Sequence, residues 1–216
     1  MTAPSYAWQV AAVPGKSAPE DPGVAAVIDR AGAIEAWRFA ADAHAGQLRA
    51  ANLAPYIQHP ERVAELTAAH GGDDGMIAAA LLHDVIEDSP AETEQIRDAF
   101  GADIAGLVDA LTDDRRIEDY GERKTALREQ VRAAGERAAL IYGSDKLANS
   151  RDLHGAYAEL GEDVAERLEI TLDLRLRIWR DDEEMCRELL GDTELCDALG
   201  AELDAFERDR ATAGRR

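Results

Sequence analysis

The sequence predicts an all-α protein, an orthogonal helical bundle. Apolar residues recur at the three- and four-residue spacing of a helix through most of the chain. Alanine is abundant and only 5% of the 216 residues are aromatic, which favours closely packed helices over a β-sandwich. Neither the strict alternation of a strand nor an internal repeat is found, and the length suits one well-filled core or one domain with extensions.

Residues 1–23 are rich in Pro, Ala, Ser and Gly and read as a flexible tail that docks, if anywhere, through Tyr6 and Trp8. Pro14-Gly15-Lys16-Ser17 resembles the end of a phosphate loop, but Val10 stands where that loop needs glycine and no apolar strand precedes it, so the motif is rejected. Residues 24–45 are helical with a break near Gly32, and His44-Ala45-Gly46-Gln47 closes them. A loop, 48–58, carries Arg49. His59-Pro60 opens the next helix, because proline suits a first turn. Val63, Ala64, Leu66 and Thr67 form its inner face, and Gly71-Gly72 ends it.

Asp73 or Asp74 caps the central helix. Its stretch Ala78-Ala79-Ala80-Leu81-Leu82-His83-Asp84-Val85-Ile86-Glu87-Asp88 is apolar around most of its girth, the mark of a buried helix. Four ionisable side chains then arrive together. On a continuous helix His83 lies one turn below Glu87, and Asp84 one turn below Asp88. Ser89-Pro90 stops the helix, so Glu87 and Asp88 sit at the end where the macrodipole disfavours negative charge. Buried imidazole and carboxylate groups there need compensation, and a divalent cation supplies it.

Thr93 is expected to cap the next helix, with Ile96, Ala99 and Phe100 inside. Gly101 separates it from Ile104, Leu107, Val108 and Leu111. Residues 112–119 form a charged loop. Residues 122–134 form a helix with Leu127 and Val131 inward, and Gly135 breaks it. Lys124 rides on that helix among alternating charges, so a solvated face and a phosphate contact both stay open. Residues 138–142 begin a strongly apolar helix that runs into Asp145, another carboxylate in a costly setting; Lys146 reads as a surface cation. Residues 164–190 are expected as one long helix with Leu168, Leu172, Leu176 and Trp179 on one face. Gly191-Asp192 precedes a last helix with Leu195, Leu199 and Leu203.

Three helices thus place polar groups where core residues belong: His59, His83-Asp84 and Asp145. Two imidazoles and two carboxylates suit Mn²⁺, Fe²⁺, Co²⁺, Zn²⁺ or Mg²⁺, and lack the thiolates of a structural zinc site. Glu87 and Asp88 stand beside that set as acid/base groups. The net charge of −20 argues against non-specific nucleic-acid or membrane-surface binding. It also repels a phosphorylated substrate at long range, so local cations must outweigh it. Lysine occurs only at Lys16, Lys124 and Lys146. Cys186 and Cys196 form neither metal spacing nor a disulfide framework, which points to a reduced, cytoplasmic setting. No apolar run spans a bilayer, and the N-terminus is no convincing signal peptide.

These residues resemble the HD-superfamily hydrolases, and within them the RelA/SpoT-like alarmone hydrolases. The matching segments run in order: Ala43 to Arg49, Pro55-Tyr56-Ile57-Gln58-His59-Pro60, Leu81 to Asp88, Phe100-Gly101, Leu107 to Thr112, and Asp145-Lys146-Leu147-Ala148-Asn149-Ser150-Arg151. The resemblance covers residues 34–155. It implies an HD-type bundle over 24–160, with 161–216 as helices that cover the bundle or form a homo-oligomer surface. It implies a divalent ion, most commonly Mn²⁺, held by His59, His83, Asp84 and Asp145, with Glu87 and Asp88 in catalysis. Arg49, Asn149, Lys124 and Arg151 become the substrate-binding candidates, Arg49 on the base and Asn149 on the sugar or base side. The implied reaction removes pyrophosphate from the 3′ position of guanosine tetra- or pentaphosphate in a small stand-alone enzyme, with no synthetase domain following. Ala50, Tyr142-Gly143-Ser144 and Asp152 depart from the pattern, as does a longer loop after Gln47. These departures touch nucleotide contacts, so adenosine alarmones, NADPH or a nucleoside phosphate stand as alternative substrates. His44 reads as a helix-end residue behind the ligands, and His70 and His154 as surface residues.

Overall fold

The structure is a computed structural model and describes residues 18–213. The expected tail docking through Tyr6 and Trp8, and the rejected loop at 14–17, lie outside the described residues.

Eleven α-helices and one 3-10 turn follow in order among the described residues: α1 (Pro22–Arg30), α2 (Ile34–Ala43), α3 (Gln58–Ala69), α4 (Asp74–Leu82), α5 (Val85–Asp88), α6 (Thr93–Phe100), α7 (Ala102–Leu111), α8 (Tyr120–Ala134), α9 (Glu136–Leu160), the 3-10 turn Gly161–Arg167, α10 (Leu172–Leu190) and α11 (Glu194–Ala213). The all-α expectation holds. An isolated bridge between Leu48 and Pro55 is the sole extended pairing described. No helix among the described residues is long and apolar enough to cross a membrane.

Helix α4 is the hub. Every residue from Met76 to Leu82 is buried, because α2, α3, α7 and α9 all pack against it. Asp73 caps it, its carboxylate accepting from the Met76 N–H at 2.8 Å and from Arg137 at 3.1 Å. Trp37 of α2 fills the adjoining core, and its indole N–H donates to Glu61 Oε1 at 2.7 Å. The 25-residue α9 touches α3, α4, α7 and α8 as well as α10 and α11. Leu147, Leu153 and Tyr157 of α9 form a second apolar cluster with Leu172, Leu176, Trp179, Leu195, Leu199, Leu203 and Phe206.

Local chemistry moved several element ends from where the sequence put them. The break near Gly32 is real: its φ of 62° turns the chain between α1 and α2. The central helix, expected to run unbroken into Asp88, is interrupted at His83-Asp84. His83 Nδ1 lies 2.8 Å from the Ala80 carbonyl oxygen, taking an acceptor the backbone ladder would use. Helix α6 is capped by Glu92 rather than Thr93, through a capping box with Gln95, and Ala99 faces solvent. The long helix expected over 164–190 is two elements. The 3-10 turn ends at Arg167 and α10 starts afresh, with Thr171 accepting from the Leu174 N–H at 3.3 Å.

Because Asp73 both caps α4 and grips Arg137, D73A is expected to cost about 1–2 kcal/mol, read as a lower midpoint in urea unfolding with an unchanged slope.

Candidate active site

The elements bring His59, His83, Asp84 and Asp145 together at one end of α4. His59 enters from the first turn of α3, His83-Asp84 from the break after α4, and Asp145 from the middle of α9. His59 Nε2 lies 3.0 Å from Asp145 Oδ1 and 3.5 Å from Asp84 Oδ2. His83 Nε2 lies 3.1 Å from Asp84 Oδ1 and 3.7 Å from Asp145 Oδ1. Neither imidazole nitrogen has hydrogen-bond alignment with its carboxylate, and both are buried.

A carbonyl only accepts, so the bond from His83 Nδ1 to Ala80 fixes the proton on Nδ1 and turns Nε2 toward the carboxylates. Burial opposes a charged His83, but Asp84 and Asp145 outweigh it and push its pKa up to about 9. Burial, then Arg49, depresses His59 and favours its neutral form. Burial also works against both carboxylates, yet Lys146 and the two histidines hold Asp145 well below the ordinary range, and His83 and His59 hold Asp84 below it. The cluster therefore draws positive charge. Ligand atoms of His59, His83 and Asp145 all lie within 4.8 Å of one another. Two orphaned imidazole nitrogens facing two carboxylates fit a divalent cation, and fit it better than a hydrogen-bonded core.

Glu87 and Asp88 stand beside this set on α5. Glu87 Oε1 accepts from the Asp113 backbone N–H at 2.6 Å. Burial, then Asp84 and Asp113, raises the Glu87 pKa to about 7, where a carboxyl group exchanges protons near neutral pH. Asp88 accepts from the Tyr56 hydroxyl at 2.6 Å and pairs with Arg115 at 2.9 Å. Tyr56 also donates to Asp84 at 2.8 Å. Burial, then those carboxylates, pushes its phenol far up, so it stays a donor. Behind it His44 stacks on the Tyr56 ring at 4.5 Å and bonds Gln47 at 2.8 Å, as a residue behind the ligands does.

A cavity of about 170 Å³ opens on these groups. Among the expected substrate residues, Arg49, Lys124 and Asn149 line it; Arg151 does not. Arg151 is exposed, two residues past Asn149 on α9 and so on the opposite side of the helix, within Coulombic reach of His70. Arg49 donates to Asn149, and Asn149 donates to Asp145 at 2.5 Å, so the arginine is tied to a ligand candidate. Its guanidinium lies 5.2 Å from the Tyr56 ring centroid. Lys124 pairs with Asp113 at 2.5 Å. The sequence had Lys146 as a surface cation. It is buried instead, 2.7 Å from Asp145 Oδ2 and 4.2 Å from the Tyr142 ring centroid.

Tyr56, Arg115 and Arg175 escaped the sequence reading as site residues. Arg175 of α10 lies 5.1 Å from the Tyr120 ring and 5.7 Å from the Trp179 ring, with its Nε buried and unpartnered. Only the alternating helix pattern of α10 hinted at an inward-facing arginine.

A profile for the HD domain matches residues 36–170. The chain belongs to the HD-domain family. Its relatives include the guanosine-3′,5′-bis(diphosphate) 3′-pyrophosphohydrolase MESH1 of Xenopus tropicalis, 39% identical over 128 residues, which are 58% of this chain and 71% of that one. The Drosophila melanogaster counterpart is 39% identical over 123 residues, 56% of this chain and 68% of that one. A Haemophilus influenzae protein that is likewise a guanosine-3′,5′-bis(diphosphate) 3′-pyrophosphohydrolase is 34% identical over 151 residues, 65% of this chain and 21% of that longer one. Among solved structures, a metazoan ortholog of SpoT that hydrolyses ppGpp superposes on this HD-domain chain with a TM-score of 0.65 at 31% identity. It covers 82% of this chain and 94% of the other.

Glu87 supplies a test of the site's electrostatics. Its folded-state pKa is raised from 4.5 to about 7. Its contribution to stability is therefore fully present below pH 4.5 and is lost as pH rises through about 7. Gln keeps the neutral shape and the acceptor for Asp113. With chelator present, E87Q is expected to melt close to the parent at pH 4.5 and above it at pH 8; equal melting at both ends would remove the assigned burden.

Proposed function

We propose that this chain is a metal-dependent phosphohydrolase that removes the 3′-pyrophosphate of a guanosine alarmone, converting ppGpp or pppGpp with water into GDP or GTP and pyrophosphate. The observation that carries the reading is the meeting of His59, His83, Asp84 and Asp145, with Glu87 and Asp88 beside them, at a cavity that Arg49, Lys124 and Arg175 also line. The MESH1 relatives and the SpoT ortholog, named for that reaction, support it.

His59, His83, Asp84 and Asp145 are assigned as the ligands of one divalent cation, Mn²⁺ by preference. When bound, such an ion would supply Lewis-acid polarisation of a phosphate oxygen and charge neutralisation at the P–O bond. Glu87, with its pKa near 7, takes the proton of the attacking water. Asp88, held by Tyr56 and Arg115, positions that water, and the protonated Glu87 then returns its proton to the leaving 3′ oxygen. Arg49, fixed by Asn149 and set over Tyr56, presents a flat cationic face for a base. Lys124 and Arg175 reach the same cavity and meet phosphate charge. A cavity of 170 Å³ is below the roughly 300 Å³ lower end for small-ligand sites. It therefore holds the reacting phosphates, and the nucleoside lies toward the mouth beside Arg49.

The deciding experiment offers the full chain ppGpp, ppApp and NADPH in turn with Mn²⁺ and identifies the products. Pyrophosphate from ppGpp, in preference to the other two, is expected. Preference for NADPH, or orthophosphate as the product, would overturn the assignment. Replacing Glu87 by Gln or Asp88 by Asn is expected to lower kcat at least ~100-fold while Mn²⁺ still binds, as followed by calorimetric titration.

A further inference from the structure

Asp182 is an uncommon residue for its place. It sits in α10 at 1% exposure, beyond the segment that the HD profile matches. Its Oδ1 accepts from Arg128 at 3.0 Å and from the Tyr142 hydroxyl at 2.9 Å. Its Oδ2 is buried and unpartnered, and the residue lines the same cavity as Asp145. Tyr142 connects Asp182 to Lys146: its hydroxyl donates to Asp182 Oδ1 and its ring lies beside the Lys146 ammonium. That ammonium bonds Asp145 Oδ2 at 2.7 Å, lies 4.2 Å from the Tyr142 ring centroid, and is within Coulombic reach of Asp182. A buried ladder thus runs Arg128, Asp182, Tyr142, Lys146, Asp145.

The ladder resolves a conflict in the site. Lys146 holds Asp145 Oδ2, which leaves Oδ1 turned to His59 at 3.0 Å. The same ammonium puts a full positive charge beside a cluster that is to take a cation, and at low local dielectric that repulsion is strong. A second carboxylate in the same cavity wall, joined to Lys146 through Tyr142, offsets the repulsion and leaves the hydrogen bond in place.

We propose that Asp182 is a positioning residue for the metal centre: through Lys146 it keeps Asp145 oriented while offsetting the lysine's charge, so that α10 tunes metal affinity without touching the metal. The inference rests on the ligand assignment above. The bland alternative is that Asp182 serves only as Arg128's structural partner.

The two part company in the metal affinity of the full chain, measured by calorimetric titration of Mn²⁺ into chelator-stripped protein, with melting in chelator as the control for folding. D182N is expected to weaken Mn²⁺ binding about 10-fold or more, the size of effect usual for groups that orient a ligand. R128M breaks the same buried ion pair and is expected to lower the melting temperature, yet to leave affinity within about twofold because Asp182 is still joined to Lys146 through Tyr142. In a K146M background D182N is expected to lose its effect on affinity, since the residue through which it acts is gone. Should D182N fail to fold, Y142F withdraws the hydrogen bond to Oδ1 and is expected to weaken binding about threefold. Parent-like affinity in D182N, or in Y142F where that variant stands in, overturns the proposal, as does an equal loss in the K146M background. A parent chain that takes up no Mn²⁺ overturns the ligand assignment itself and this inference with it.

Discussion

Two histidines and Asp145 are buried, and Asp84 half-buried, at one end of a helix that has no polar face, and the interior tolerates them only with their charges balanced. Each group around them answers that demand. Lys146 and Asn149 donate to Asp145, and Tyr56 donates to Asp84 and Asp88 from a phenol that does not ionise. His83 is pushed toward its charged form by the same carboxylates. A cation at the imidazole nitrogens competes with that proton, so metal and proton are alternative answers to one electrostatic requirement.

The fold follows from holding these groups still. Helix α4 is enclosed by α2, α3, α7 and α9, and two of those enclosing helices, α3 and α9, carry ligand candidates themselves. The packing that buries Ile77, Leu81 and Leu82 is therefore the packing that brings His59 and Asp145 to His83. The break after Leu82 sharpens this. It gives His83 a backbone acceptor of its own and leaves Glu87 and Asp88 on a separate single turn, one anchored by Asp113 and the other by Tyr56. Ligands and acid/base groups thus sit on neighbouring but distinct supports.

The parts legible in the sequence were those where a polar residue violated an apolar pattern. His59, His83, Asp84 and Asp145 stood out that way, and the geometry joins them. The parts that were not legible depend on what crosses from elsewhere. Lys146 follows an aspartate in a polar-looking run, and nothing local says that it is buried against the Tyr142 ring. Arg175 belongs to the cavity only because α10 folds back across α8 and α9. Arg151 failed for a different reason: it was carried by its place in a motif, while two helical steps past Asn149 rotate it away by about 200°. Thr93 lost its capping role to Glu92 because a reciprocal pair with Gln95 satisfies two backbone donors where a lone hydroxyl satisfies one.

The net charge of −20 set a difficulty for an enzyme of phosphates. The cavity answers it by proximity rather than by excess. Arg49, Lys124, Lys146, Arg175 and the protonated His83 line it against Asp84, Glu87, Asp88, Asp145 and Asp182, five positive groups to five negative. A divalent cation that displaces the His83 proton brings more positive charge than it removes, so the metal strengthens the pull on an anionic substrate. At physiological ionic strength the field of the distant surface fades over about 8 Å, whereas the groups in the cavity act at contact.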